Sequence, residues 1–544
     1  MVEKTEIISP VEKSPTQRER RFPSAIEAIH RLQNFDLLLP PNYQGEEELS
    51  FDKVPVAAVP PKGEFNQAYN IYAVEFGRDA LLTATDLLDY DPVILEQTIL
   101  YNTIWQGTDN ENGPNQMGGW SEEEVGRIPH EVRDPNNDRA REFCERRHWA
   151  FPYYGAIDAT PFFVKSSHKY CEHLGHKELL WKQVESKNGH KKTVAESMIL
   201  AVEWMESRMR QNPCQIIEAH SPNPDGCLHQ FWRDALDSYF TVEGEPANRK
   251  GVSSTEVHGL TFDAMYFMVN EYLPYFLNLT DDEFEEIFSN QGYSRDFFVR
   301  MRDRLERRLE ILKDFVQEEL FVEDENGSYF AKGTHRREDG SLEVLPARCS
   351  NMGWLLNSEM FDDPEDQKYV QATIETLTNE DMMTRWGIRT LSEQELNFDP
   401  TSYHNGSVWA MDVGQIIRGL EKQGYYGLAR NLAIRTVSAV NHLGIYPEFI
   451  QGNNREIPAW NQANGSAAEE THHSQQMQAW TISAVYYAKR LLGKMGRGDL
   501  PSQASDLDKQ NFEQQVLAKT PDLPPIKPTE ETEAIMSTAL LGLN

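Results

Sequence analysis

Leu305-Glu-Arg-Arg-Leu309-Glu-Ile-Leu312-Lys-Asp-Phe-Val316 is the stretch that sets the fold class. Its apolar residues Leu305, Leu309, Leu312 and Val316 are spaced 4, 3 and 4 apart among Arg and Glu. A helix turns once in about 3.6 residues, so this spacing lines one face with apolar side chains and leaves the opposite face solvated. Val413, Ile417 and Leu420 repeat the pattern. Leu428, Leu432, Ile434 and Val437 follow it approximately, as do Met477, Trp480, Ala484 and Leu491. Such stripes are core and carry no chemistry. Strand-like alternation is scarce, and most connections are polar with aromatic, His, Asn and carboxylate residues. An all-α domain with long functional loops follows. About a dozen helices in one domain suit a toroid of helix pairs, which periodicity alone does not separate from a solenoid.

Three parts are expected along the chain. Residues 1–22 are charged, lack an apolar period and read as a flexible arm. Residues 23–496 hold the helical domain. Residues 497–544, with TPDLPPIKPTEETEA at 520–534, read as a polar, proline-bearing tail that buries little. The terminal AIMSTALLGLN forms a short docked helix or nothing.

Composition narrows the function. The 53 basic and 86 acidic residues give a formal charge of −33. That surface repels phosphate backbones and anionic membranes, so neither nucleic acid nor membrane is an expected partner. Cys144, Cys171, Cys214, Cys227 and Cys349 are widely spaced, odd in number and form no zinc pattern, which reads as free thiols in a reducing compartment. The N-terminus has no apolar signal region, and no apolar run reaches about 18 residues. Cytoplasm is the expected location.

Five segments could carry chemistry. Within Trp386–Trp409, the residues Tyr403, His404, Asn405, Gly406 and Trp409 set polar groups beside flat apolar faces, which suits the edge and face of a sugar ring. Phe76-Gly-Arg-Asp79 precedes an apolar run, and its Arg–Asp pair is either a helix-start salt bridge or a set of partners for sugar hydroxyls. Arg127-Ile-Pro-His-Glu-Val-Arg133 leads to Tyr153-Tyr154 and Asp158, the latter a candidate cap for a helix at 161–173. His130 and Glu131 are adjacent and lack the spacing of a metal motif, so no metal is expected. Asp234 stands beside Phe231 and Trp232. A carboxyl pressed on apolar rings resists ionisation, as a general acid must; a helix cap is the alternative, and Asp237 is a nearby rival. Glu448 lies in the loop Gly444-Ile-Tyr-Pro-Glu448-Phe-Ile and either pairs with an arginine or acts as a base. Two carboxyls on opposite sides of a sugar suffice for glycoside hydrolysis, roughly 6.5–9.5 Å apart when the reaction inverts.

The segments fall in the order of a known pattern. Phe76-Gly-Arg-Asp79, Ile157-Asp-Ala-Thr-Pro161, Phe231-Trp-Arg-Asp234, Glu256-Val-His-Gly259, Ser350-Asn-Met-Gly353, Ser402-Tyr-His-Asn-Gly-Ser-Val-Trp409, Tyr446-Pro-Glu-Phe449 and Gln478-Ala-Trp480 together span about 65–492. This chain resembles the amylo-α-1,6-glucosidase domain of glycogen-debranching enzymes and related (α/α)6-barrel glycoside hydrolases. The resemblance implies an (α/α)6 barrel and an inverting, exo-acting α-glycosidase without a cofactor. It makes Asp234 the general acid and Glu448 the general base. It puts Arg78, Asp79, His404 and Asn405 in the subsite for the sugar, Glu256 and His258 beside it, and Trp232 and Trp409 as walls. Three features depart from the pattern: Arg233 replaces the usual Lys, the polar segment 452–476 is long, and no N-terminal β-sandwich is expected before Phe76. The expected substrate is an α-1,6-linked glucosyl stub on glycogen-type glucan. The alternatives are a small solute glycoside such as glucosylglycerate, mannosylglycerate or trehalose, a carbohydrate phosphorylase activity, and a non-catalytic sugar-binding relative.

Overall fold

Helices account for the core, and local chemistry sets where they start and stop. The structure is a computed structural model describing residues 23–41, 43, 49–59, 72–110, 113–114, 119–247, 251–288, 292–456, 458, 463–464, 471–472, 474–497 and 507–524. The expected arm at 1–22 and much of the segment 452–476 lie outside the described residues. The helices used below are α1 (Ala25–His30), α2 (Gly77–Asp86), α3 (Pro92–Trp105), α4 (Asp138–Arg147), α5 (Ala159–Leu174), α6 (Val194–Gln211), α7 (Thr255–Phe267), α8 (Arg295–Phe315), α9 (Gln367–Thr378), α10 (Ala410–Lys422), α11 (Tyr426–Leu443), α12 (Ala479–Arg497) and α13 (Leu507–Leu517). Asp91 caps α3 by accepting from the Val93 amide, with Pro92 at the first helical position. Thr193 and Glu196 form a reciprocal capping box on α6. Gly175 and Gly444 end α5 and α11 in the left-handed conformation.

Six elements close a ring. Helix α2 packs on α5, α5 on α7, and α7 on the 3-10 helix Ser350–Asn357. That 3-10 helix packs on α10, α10 on α12, and α12 returns to α2. An outer layer covers them: α3 lies on α2, α6 on α5, α8 on α7, α9 on the 3-10 helix and α11 on α10. Helix α1 lies on α12, so the first helix of the described chain completes the last pair. The return contact makes the architecture an (α/α)6 toroid rather than an open solenoid. Inner and outer helices differ as their positions require. Every residue of α7 from Thr255 to Met265 is buried, whereas α8 buries only the stripe Phe298, Met301, Leu305, Leu312 and Phe315.

The inner elements run in the same direction. Arg78, Asp158, Ser350, Trp409 and Gln478, all at or just before their first turns, gather at one mouth of the ring. Strands are short; the largest sheet pairs Val252–Ser254 with Gly333–Arg336 and the latter with Leu342–Leu345, all antiparallel. Part of the segment read as a polar tail is packed. In α13, Val516 is buried, Phe512 lies edge-on to Tyr425 at 5.8 Å, and Glu513 accepts from the Leu428 amide at 2.9 Å. Phe512 and Val516 are one turn apart, a pair too short to mark a stripe in a polar sequence. Among the described residues no helix is long and apolar enough to cross a membrane.

Candidate active site

The first turn of α2 presents Arg78 and Asp79. A Cβ on Gly77 would lie 2.4 Å from the Pro129 carbonyl oxygen, so only glycine lets the two chains meet there. Arg78 Nη1 donates to Asp158 Oδ2 at 3.1 Å and Oδ1 at 3.3 Å, and its Nε lies 3.6 Å from Asp79 Oδ2. Asp158 spends its side chain on this pair and makes no capping bond to α5. Burial pushes Asp79 up to about 7; Arg78 pulls it down, while Glu448, Asp234 and Asp158 push it further up. Its Oδ1 lies 3.4 Å from Gln478 Nε2.

Asp234 lies in a non-helical loop, which removes the helix-cap reading. Half-buried, it lines the main cleft at this mouth, and burial lifts it to about 6; Arg78 pulls against this, and Asp158 and Glu131 add to it. The loop is anchored from behind by Arg233. Its Nη1 donates to the carbonyls of Thr390 (2.8 Å) and His404 (3.2 Å), its Nη2 to Ser350 Oγ, and its guanidinium lies 4.5 Å from the centre of the Trp232 ring. Trp232 is stacked parallel to Trp354 at 6.0 Å, and Trp354 Nε1 donates to Asp412 at 2.6 Å. Asp237 does not line the cleft; its carbonyl accepts from Asn405 Nδ2 at 2.8 Å.

Glu448 comes from a loop bridged on both sides, Val408 with Ile450 and Tyr446 with Met477. Its Oε1 accepts from Tyr403 Oη at 2.6 Å and its Oε2 from the Gln475 amide at 3.1 Å. Burial raises it to about 7; those two hydrogen bonds lower it and the Asp234 charge raises it again. Among the described residues no basic side chain pairs with Glu448, so the structural ion pair considered from sequence is not formed. The Asp234 charge reaches Glu448 as the smallest of the influences on its pKa.

The Tyr403–Trp409 segment folds on itself. Tyr403 lines the cleft and holds Glu448; its carbonyl accepts from Trp409 Nε1 at 2.9 Å. His404 is buried, with Nδ1 2.9 Å from Ser238 Oγ and its ring 5.1 Å from Trp409. Asn405 Oδ1 faces the buried Lys332 at 3.4 Å. Trp232 and Trp409 are fully buried behind the cleft rather than on its surface. Glu256 accepts from Asn351 Nδ2 at 2.5 Å and from Ser254 Oγ, and burial raises its pKa. His258 faces Phe315 of α8 at 5.5 Å, and burial drops it to about 3, which keeps it neutral. Thus Arg78, Asp79, Asp234, Tyr403 and Glu448 come together electrostatically at the mouth. His404, Asn405, Trp232 and Trp409 stand behind them, and Glu256 and His258 are farther along the barrel wall.

The cleft has a volume of about 440 Å3, and its wall carries arginines as well as acids. Arg133, Arg146 and Arg147 share it with Glu131, Asp225, Asp234 and Tyr403. Arg133 donates to Glu131 Oε2 at 2.5 Å and lies over the Phe143 ring at 4.5 Å; Arg147 covers that ring at 4.2 Å. Tyr72 lines the same wall and is pushed up to about 12 by burial, with the charges of Glu448 and Asp234 adding to it. Of these arginines, the sequence pattern singles out only the segment that ends at Arg133; Arg146 and Arg147 lie in α4, whose sequence DRAREFCERR has no long apolar stripe. Their signal was the pairing of Arg146-Arg147 with Phe143 in a strongly acidic chain. His130 is held neutral, well below its usual pKa, by burial and by Arg78, Arg133 and Arg127. Among the described residues no group of three His, Cys, Asp or Glu side chains could hold a metal ion.

Residues 303–451 match the family model described as the mannosylglycerate hydrolase MGH1-like glycoside hydrolase domain. No curated protein matches the chain by sequence. Among solved structures, the chain is similar to the GH63 mannosylglycerate hydrolase from Thermus thermophilus in complex with Tris, at 11% identity and a TM-score of 0.45, over 85% of this chain and 98% of that one. The same hydrolase in complex with glucose shows 13% identity and a TM-score of 0.38 over the same shares. An uncharacterized conserved protein from that organism shows 12% identity and a TM-score of 0.42, again over 85% and 98%. The family-model match, which takes in Glu448 and the whole Tyr403–Trp409 segment, makes this chain a glycoside hydrolase.

Proposed function

We propose that this chain is an inverting hydrolase of a small α-glycoside whose aglycone is negatively charged, of the mannosylglycerate or glucosylglycerate kind. The observation that carries the reading is that Arg133, Arg146 and Arg147 line the same cleft as Asp234, beside Glu131 and Asp225, in a chain of charge −33. A neutral glucan accepts hydrogen bonds from guanidinium groups without pairing their charge, whereas a carboxylate beside the scissile bond does both. This reading replaces the glycogen-type stub as the first substrate. The matched family description is of the same kind.

In the proposed mechanism Asp234 is protonated and donates to the glycosidic oxygen as the bond from the anomeric carbon to that oxygen breaks. Glu448, ionised and oriented by Tyr403 and the Gln475 amide, takes a proton from water. That water forms the new bond to the anomeric carbon from the opposite face. Arg78 and Asp79 hold ring hydroxyls. The barrel proposed to carry this chemistry is residues 23–496.

A substrate panel tests the reading: mannosylglycerate, glucosylglycerate, isomaltose, trehalose and limit dextrin, with the first-formed anomer followed by NMR. Turnover of a charged glycoside with inversion is expected. Arg146→Gln/Arg147→Gln should raise KM for it about tenfold, the loss of a charge-assisted hydrogen bond. Turnover of limit dextrin alone would return the glycogen reading.

A further inference from the structure

The inner helices leave a second cavity at their far ends. It has a volume of about 320 Å3 and is lined by residues of five of the six inner elements: α2, α5, the 3-10 helix, α10 and α12. That volume lies in the range of small-ligand pockets. Its walls carry Lys165, Lys169, Arg418, Lys422 and Arg490 against only Asp86 and Glu421. We propose that this far mouth binds a small phosphate-bearing anion.

Parallel helices end here on their carbonyls, and carbonyl ends attract cations without any ligand. Lys422 and Lys165 answer that need: their ammonium groups donate to the carbonyls of Ser358 at 2.7 Å and Asn357 at 3.0 Å. Arg418, Lys169 and Arg490 do not. Among the described residues none of the three bonds a backbone carbonyl. Each meets a single acid: Arg418 Nη2 meets Asp86, Lys169 meets Glu172 at 2.8 Å, and Arg490 Nε meets Asp89. Arg418 Nε is buried with no hydrogen-bond partner among the described residues. Donors on all three cations are thus left over.

The counter-charges stand outside the cavity. Asp263, Glu172, Asp89, Glu359 and Asp362 pair with the lining cations but do not line the cavity themselves. Cations therefore face the cavity while most of their acids sit behind. Arg418 is held flat against the Tyr487 ring at 3.6 Å, which fixes its plane. Lys169 and Arg490 side chains are 32% and 27% exposed, so the cavity opens where they lie. A tetrahedral anion with several acceptor oxygens matches such dispersed donors, and a phosphate does so with more charge than a carboxylate.

Calorimetric titration of the full chain with inorganic phosphate, at ionic strength held with sodium chloride, tests this. Saturable one-site binding is expected. Lys169→Gln/Arg490→Gln should weaken it about tenfold or more, because two charge-assisted contacts are lost. Arg146→Gln/Arg147→Gln, in the catalytic cleft, should leave it in place. Both positions in the far mouth are partly exposed, and circular dichroism checks their fold; Lys169→Gln alone serves if the double variant misfolds. Titration with glycerol 3-phosphate separates the sources: tighter binding assigns a phosphorylated organic ligand, equal binding assigns phosphate itself. Absence of saturable binding overturns the proposal. So does undiminished binding in the far-mouth variant, or equal loss in both double variants.

Discussion

Two hydrogen bonds distinguish Glu448 from Asp234, the two proposed catalytic carboxyls. Glu448 accepts from Tyr403 and from the Gln475 amide, and both contacts favour its ionised form. Asp234 follows the fully buried Trp232 in the chain, and its own burial favours its proton; Asp158 and Glu131 add to this and Arg78 opposes it. Asp234 is raised to about 6 and Glu448 to about 7, so between these values the proton rests mainly on Glu448 in the free enzyme, and the productive form, with Asp234 protonated and Glu448 ionised, is the minor one. The kcat/KM profile should therefore be a bell with its maximum between these values. Activity rises as the first carboxyl ionises and falls as the second does. Asp234→Asn and Glu448→Gln should each cut kcat by about 10²–10⁴-fold with folding intact, the range for positioned acid–base groups. An aryl glycoside whose leaving group needs no proton should restore turnover to Asp234→Asn and not to Glu448→Gln. Restoration in both, or a normal rate in either, removes the assigned role. Asp234→Asn should also move the acid limb of residual activity to lower pH, because the Asp234 charge helps raise Glu448. Tyr403 changes meaning at this scale: sequence offered it as a sugar contact, and its hydroxyl is engaged by the base.

Elements were legible where one stripe decides one face. The spacing at Leu305–Val316 marks α8 because an outer helix has one dry side. The order of inner against outer helices was not legible, since α7 is buried all round and shows no stripe to read. Ring closure is a contact between α12 and α2, which no local pattern encodes. At the mouth, Asp234 and Glu448 could be picked out because aromatics and a proline flank them in sequence. The arginines could not, because Arg133 and the α4 residues Arg146 and Arg147 share a cleft with Asp234 only in the folded chain. The step from strand to α2 illustrates how narrowly an element sets the site. Gly77→Ala puts a methyl group 2.4 Å from the Pro129 oxygen, and backbone cannot yield as a flexible side chain would. A loss of about 1–3 kcal/mol is expected from such overpacking. Arg78 would shift off Asp158 with it, so urea unfolding and kcat/KM should fall together. A stable Gly77→Ala enzyme of normal activity would show that α2 tolerates displacement.

The whole molecule places its titrating groups inside, and this fixes how its stability depends on pH. Burial raises the carboxyl of Glu75 to about 8, of Asp79 and Glu448 to about 7, and of Asp234 to about 6. In the unfolded chain these groups ionise near 4 to 4.5. Between those limits the folded state holds protons that the unfolded state has released, so stability present at low pH is lost as pH rises toward 8. Histidine acts in the opposite sense. His258 falls to about 3 and His130 well below its usual value, so on acidification the unfolded chain binds protons that the fold refuses. That stability is present above about 6.5 and is lost as pH drops toward 3. Acids outnumber histidines where the two windows overlap, so melting temperature should peak at about pH 4 to 4.5, the unfolded carboxyl range, and decline to pH 8. The bulk charge of −33 bends the curve the same way through self-repulsion, and one variant separates the two causes. Glu75→Gln keeps an acceptor for Asn102 Nδ2, which lies 2.8 Å from Glu75 Oε1, and removes only the titration. Its melting temperature should match the parent at about pH 4 to 4.5 and exceed it by a few degrees at pH 8. An unchanged alkaline limb in Glu75→Gln would assign that limb to bulk repulsion. A limb that Glu75→Gln does flatten makes the enzyme most stable below the pH at which it is most active, because Glu448, the proposed base, is one of the buried carboxyls whose proton supports the fold.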